Sequence, residues 1–143
     1  MNRQVVLICR WLLGIIFLGA GINGYVVFFG FEPFIATSPE AMALFMFDYL
    51  LFVEKSLEII CGILLLTNQF VPMAIAILSP IVANILLLHL FVDPSMLALA
   101  VVVLLLYGLL LYHYRKHFAG LFVRKPAAPY TDAPSATAAR GIN

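Results

Sequence analysis

Charge is what this sequence has least of. Lysine and arginine number eight and aspartate and glutamate seven in 143 residues, or 10% charged, where soluble domains carry about 25%. So few charges cannot cover a globule with solvated groups, which excludes an ordinary soluble domain. The net charge of +1 comes with no basic patch able to neutralise a phosphate backbone, and this excludes nucleic acid as a partner. Cysteine is almost missing too. Cys9 and Cys61 stand alone, with no C-x-x-C and no second pair, so neither a thioredoxin-like motif nor a zinc site is encoded and both read as small apolar residues. Flavin, nicotinamide, haem and iron–sulfur motifs are lacking, as is any internal repeat, and the chain therefore brings no intrinsic redox cofactor.

What is there is hydrophobicity: 64% of residues are hydrophobic and the mean hydropathy is +1.09. This is the composition of an all-α integral membrane protein. Arg3 before an apolar run has the look of a signal peptide, but Arg10 interrupts the run and no small-residue cleavage pattern follows, so a retained first helix is expected. It covers about 4–22 and stops at Asn23-Gly24. Thr37 to Glu40 has capping-box spacing with Pro39 in the first turn, which predicts a second helix over 40–67 whose early residues lie near the interface. Pro72 opens a third helix, 72–91, which Pro80 should bend. Asp93-Pro94-Ser95 caps a fourth, 95–117. Residues 1–125 thus form one four-helix membrane domain, and 126–143, rich in Pro, Ala, Ser and Thr, form a disordered tail.

Lysine and arginine set the orientation. Arg3 precedes the first helix and Arg115, Lys116, Arg124 and Lys125 follow the fourth, whereas the loops after helices one and three carry Glu32, Glu40 and Asp93 but no cation. By the positive-inside rule both termini are cytoplasmic. Against this background the stretch 54–89 is anomalous, because Glu54, Lys55, Glu58, Asn84 and His89 lie in otherwise lipid-soluble sequence. A charge near the bilayer centre costs roughly 2.5 to 3.5 kcal/mol on insertion scales, so such residues are paired, buried or working. Counting 1.5 Å per residue from the cytoplasmic side puts Arg10 and Glu58 near the midplane, a separation that an arginine side chain spans. Lys55, three residues before Glu58, is a second partner. Asn84 falls level with these two, and His89 lies near the outer mouth with Asn23. The candidate ligand-binding or polar network is therefore Arg10, Asn23, Lys55, Glu58, Asn84 and His89, without a metal. No second histidine lies at ligand spacing on the helix of His89, and His113 and His117 belong to a solvated interface. The same residues also read as a structural ion-pair network, with Asn84 as an interhelical hydrogen-bond residue.

The motifs Arg10-Trp11-Leu12-Leu13-Gly14, Gly21-Ile22-Asn23-Gly24-Tyr25, Lys55-Ser56-Leu57-Glu58, Gly62, Phe70-Val71-Pro72, Pro80, Asn84, His89-Leu90-Phe91-Val92-Asp93-Pro94 and Tyr114-Arg115 follow in an order that resembles the DoxX-like bacterial inner-membrane proteins. The resemblance covers about 5–122. It implies a four-helix bundle in the bacterial inner membrane and a role in quinone-linked redox, detoxification or oxidative-stress assemblies. Glu54 lies outside the pattern. The leading expectation is a membrane subunit that holds a quinone-like headgroup in a polar intramembrane pocket, served by an oxidoreductase partner and acting alone or as a homo-oligomer. A small-molecule or proton-coupled transporter and a non-catalytic membrane scaffold remain as alternatives.

Overall fold

The computed structural model describes residues 2–35, 39–43, 46–122 and 124, and among these every regular element is a helix. The order is α1 (Arg3–Phe28), α2 (Pro39–Ala43), α3 (Asp48–Thr67), α4 (Val71–Phe91) and α5 (Leu97–Phe118), with 3-10 turns at Pro94–Met96 and Ala119–Phe122. The expected cap at Thr37 and the tail from 126 onward lie outside the described residues.

α1 starts where Asn2 accepts a hydrogen bond from the Gln4 amide at 3.2 Å, an N-cap that satisfies one orphan donor of the first turn. It does not stop at Asn23-Gly24 but runs on to Phe28, a correction to the expected 4–22. The reason is tertiary. Asparagine opens a turn when its side chain competes for nearby backbone groups, and here both ends of the Asn23 amide are taken by the backbone of Ile35, at 3.1 and 2.9 Å. Termination waits for Gly30, whose φ of +79° suits a residue without Cβ. The Phe31 amide donates to Val26 O and the Gly30 amide to Val27 O, both at 2.9 Å, closing the helix in a Schellman motif.

The single helix expected over 40–67 is two helices. Met46 and Phe47 are not helical, Phe47 is extended at φ −105° and ψ 117°, and α3 begins only at Asp48, whose charge suits the positive end of the helix dipole. α3 closes by a second Schellman pair, Gln69 N–H to Leu64 O at 3.0 Å and Asn68 N–H to Leu65 O at 3.4 Å, with Asn68 left-handed at φ 59°. α4 runs unbroken through Pro80. At its end the Val92 and Asp93 amides both donate to Leu88 O, and the Asp93 side chain then accepts from the Ser95 amide at 3.1 Å, as the Asp-Pro-Ser cap requires.

The four long helices close a ring in which α1 packs on α3 and α5, and α4 packs on α3 and α5. Its interior is apolar, with Leu13, Phe17, Cys61, Leu65, Ala74, Ile75, Leu78 and Leu110 essentially inaccessible. The tightest seam is α1 with α3. A Cβ on Gly62 would meet Leu18 N at 2.8 Å, and one on Gly21 would meet Ile59 Cγ1 at 2.6 Å and Lys55 O at 2.9 Å, so these glycines let the two backbones approach as small residues do between membrane helices. Outside, Trp11, Ile15, Phe52, Ile60, Ile63, Leu87 and Leu105 are exposed. So continuous an apolar exterior is a surface for lipid. Among the described residues three helical stretches, Arg3–Phe28, Val71–Phe91 and Pro94–Phe122, are long and apolar enough to cross a membrane. The chain is a multi-pass membrane protein.

Candidate functional site: a cavity within the helix bundle

The seam fixes the relative height of α1 and α3. Gly62 lies between the levels of Gly14 and Leu18, and Gly21 between those of Lys55 and Ile59, so the helices are antiparallel and Glu58 stands level with Ala20. The charged stretch of α3 thereby faces the C-terminal half of α1. Glycine continues to matter at this height, because Lys55 lays its stem across Gly24 where any Cβ would collide with Lys55 Cγ and Cδ. An aliphatic stem buried along a helix, with its charge delivered beyond it, is how lysine is accommodated in apolar surroundings.

The charge is delivered to Glu58. Lys55 Nζ lies 2.9 and 3.0 Å from the two carboxylate oxygens of Glu58 and 3.3 Å from Glu54 Oε1, one ammonium shared by two carboxylates. Glu58 is 1% exposed, whereas Lys55 and Glu54 are 15% and 22% exposed at the side chain. The contact is close and bidentate, the geometry that a buried charge needs if it is to be paired at all. The i to i+3 pair expected from the sequence is thus formed, and Glu54 joins it.

The expected Arg10–Glu58 pair is not formed. Arg10 is buried, yet among the described residues its Nη1 has no hydrogen-bond partner, and it stands level with Asn68 at the far end of α3. That is ten residues, or about 15 Å, along the helix from Glu58. The estimate from the sequence placed the ends of the helices flush on the cytoplasmic side. In the structure α1 overhangs the end of α3, and a shared depth does not follow.

Beside the triad lies a cavity of about 440 Å³ between α1, α3, α4 and α5, at the end of the bundle away from the termini. Its walls are chiefly apolar, Phe17, Ile85, Leu88 and Val103 among them, and its polar side chains are Asn23, Glu54, Lys55, Glu58, Asn84, His89 and Asp93. Five of the six network residues inferred from the sequence therefore meet here, Arg10 being the exception. Asn84 lines the cavity while remaining exposed, so the space is not sealed, and among the described residues its amide makes no hydrogen bond. His89 Nδ1 lies 2.8 Å from Asp93 O, holding the ring against the turn between α4 and α5. Ile35 and Met42 also line the cavity, and the Asn23 clamp is what brings Ile35 to it.

Several contributors were not legible in the sequence. Glu54 was set apart from the network, and nothing local announces that Asn23 fixes Ile35 twelve residues on. Tyr25 reaches Ser56 with an O···O distance of 2.7 Å, joining α1 to α3 beside the triad, a pairing that the sequence does not announce although Tyr25 falls near the outer mouth by residue counting. A tyrosine hydroxyl within an apolar run seeks a partner when buried, which is the signal that could have found it. Among the described residues no group of three His, Cys, Asp or Glu side chains is arranged to hold a metal ion. No protein-family model, curated protein or solved structure matches the chain.

Proposed function

We propose that this chain is a DoxX-like protein of the bacterial inner membrane that crosses the bilayer four times with both termini cytoplasmic, and that its cavity receives a quinone-like molecule as part of a redox or detoxification assembly. The observation that carries the reading is the cavity itself: about 440 Å³ of mainly apolar wall with hydrogen-bonding groups from α1, α3 and α4. That volume and that balance are those of a small-molecule site, where apolar walls supply affinity and a few polar groups fix orientation. A ring with oxygen substituents on an apolar body matches both, and lipid is where such molecules dissolve.

Support for the fourth span comes from α3, whose 20 residues are about 30 Å long, the thickness of a hydrocarbon core. It carries four charged residues, but in three of them, Glu54, Lys55 and Glu58, one ammonium is shared by both carboxylates, and the fourth, Asp48, sits at the first turn. The basic residues Arg115 and Lys116 in the last turn of α5, together with Arg3 at the start of α1, favour cytoplasmic ends. Because the chain brings no electron carrier of its own, a partner oxidoreductase would supply or remove electrons.

The test is purification of the full chain in mild detergent and mass spectrometry of the copurifying lipids, beside a Glu58→Gln variant. A quinone retained by the parent and reduced in the variant, with helicity unchanged, is the expected result. Absence of any quinone from the parent, even after its addition to membranes before extraction, overturns the reading. Reporter fusions after residue 124 and within 29–35 test the orientation, with cytoplasmic activity expected only for the first.

A further inference from the structure

The hydrogen-bonding groups around the cavity are not balanced between donors and acceptors. Four lining side chains carry N–H donors: Asn23, Lys55, Asn84 and His89. Lys55 has three N–H bonds and three carboxylate oxygens within 3.3 Å. Asn23 is engaged with the backbone of Ile35. His89 is committed in a way that fixes its chemistry: its Nδ1 partner is the carbonyl oxygen of Asp93, which can only accept, so the proton of a neutral ring sits on Nδ1. The other nitrogen, Nε2, then carries a lone pair, and it has no partner among the described residues. Among the described residues the uncommitted N–H bonds are those of Asn84 and the second N–H of Asn23, whose first is on Ile35 O. The acceptors are more numerous, namely His89 Nε2, the remaining lone pairs of Glu54 and Glu58, and Asn84 Oδ1.

A cavity with surplus acceptors in apolar surroundings discriminates by what the ligand can donate. A quinone offers two carbonyl oxygens and no donor, so it would satisfy the amide donors of Asn84 and Asn23 and leave His89 Nε2 facing a second acceptor. The hydroquinone has nearly the same shape and two hydroxyl donors. We propose that the cavity selects the hydroquinone over the quinone, with His89 Nε2 accepting a hydrogen bond from a ring hydroxyl and the Asp93 carbonyl setting the tautomer that makes this so. The inference rests on the quinone reading above and adds to it the redox state that the site prefers. It assigns His89 a role as a ligand contact and Asp93 a positioning role through its main chain.

The test uses the full chain in lipid nanodiscs under anaerobic conditions, titrated with a decyl-substituted benzoquinone and with the corresponding hydroquinone. One hydrogen bond gained in place of an acceptor–acceptor contact predicts roughly tenfold tighter binding of the hydroquinone. His89→Asn keeps a donor in the place of Nδ1 and has nothing in the place of Nε2, so it should bind the two forms alike. His89→Gln places an amide oxygen near the Nε2 position and should keep part of the preference. Equal binding of both forms by the parent, tighter binding of the quinone, or an undiminished preference in His89→Asn each overturn this inference while leaving the quinone site standing. Binding of neither form overturns the underlying reading, and this inference with it.

Discussion

Replacing Lys55 by methionine removes the ammonium from the centre of the cavity wall and keeps most of the stem that covers Gly24. The stem matters because Gly24 has no side chain of its own, and a shorter residue would add a packing loss to the electrostatic one. In the parent both oxygens of Glu58 are on Lys55 Nζ, at 2.9 and 3.0 Å, and Glu58 is 1% exposed, so the substitution leaves a buried carboxylate that only water drawn into the adjoining cavity can solvate. Breaking a buried pair from one side typically costs about 3 to 5 kcal/mol. Glu54, which shares the same ammonium, is left beside Glu58 as an uncompensated neighbour and puts the expectation toward the upper part of that range. The double variant Lys55→Met with Glu58→Met removes both desolvation costs and should recover most of the loss, because well-packed apolar replacements of a buried pair are often neutral or better. The assay is reversible unfolding in mixed micelles followed by circular dichroism. A loss below about 1 kcal/mol for Lys55→Met, or a double variant no more stable than the single one, would refute the account of the triad as a buried electrostatic unit.

Arg10→Met should be neutral or stabilising in the same assay, since it removes a buried guanidinium whose Nη1 is unpartnered among the described residues, and its effect should add to that of Glu58→Met, which stands about 15 Å away along the helix. Gly62→Ala should cost about 1 to 3 kcal/mol through forced separation of α1 and α3, because the new methyl meets main-chain Leu18 N, whereas Gly108→Ala, with nothing within 4 Å, should be neutral or slightly stabilising. Asn23→Leu should free the 29–35 segment by losing both bonds to Ile35, seen as faster proteolysis after residue 28 and a loss of about 1 kcal/mol, since the Ile35 groups are only partly buried.

Apolar run length and turn residues placed the third and fourth helices closely because those signals are local. Pro72 and the Asp93 cap lie where the chain must turn whatever packs around it. Asn23-Gly24 misled for the opposite reason. Both are turn formers in isolation, yet here Asn23 spends its amide on Ile35 and Gly24 lies under Lys55, and neither partner is within reach of a local reading. The polar network followed the same division. That Lys55 and Glu58 would meet is a property of one helix. Whether Arg10 would meet Glu58 depended on the sliding of α1 against α3, which the contacts of Gly14, Gly21 and Gly62 decide and residue counting from the membrane edge does not.

The dependence of α3 on α1 bears on how the protein is made. Taken alone, α3 offers the insertion machinery a segment carrying Asp48, Glu54, Lys55 and Glu58, each costing roughly 2.5 to 3.5 kcal/mol if it rests near the bilayer centre. α1 emerges from the ribosome first, has no such burden along its apolar run apart from Arg10, and presents the glycines against which α3 fits. On the four-span reading, then, α3 enters the lipid as the second arm of a hairpin whose first arm is already in place. Glycine substitutions on α1 would therefore be felt during biosynthesis, as chains with α3 left outside the membrane, before any effect on the finished bundle could be measured.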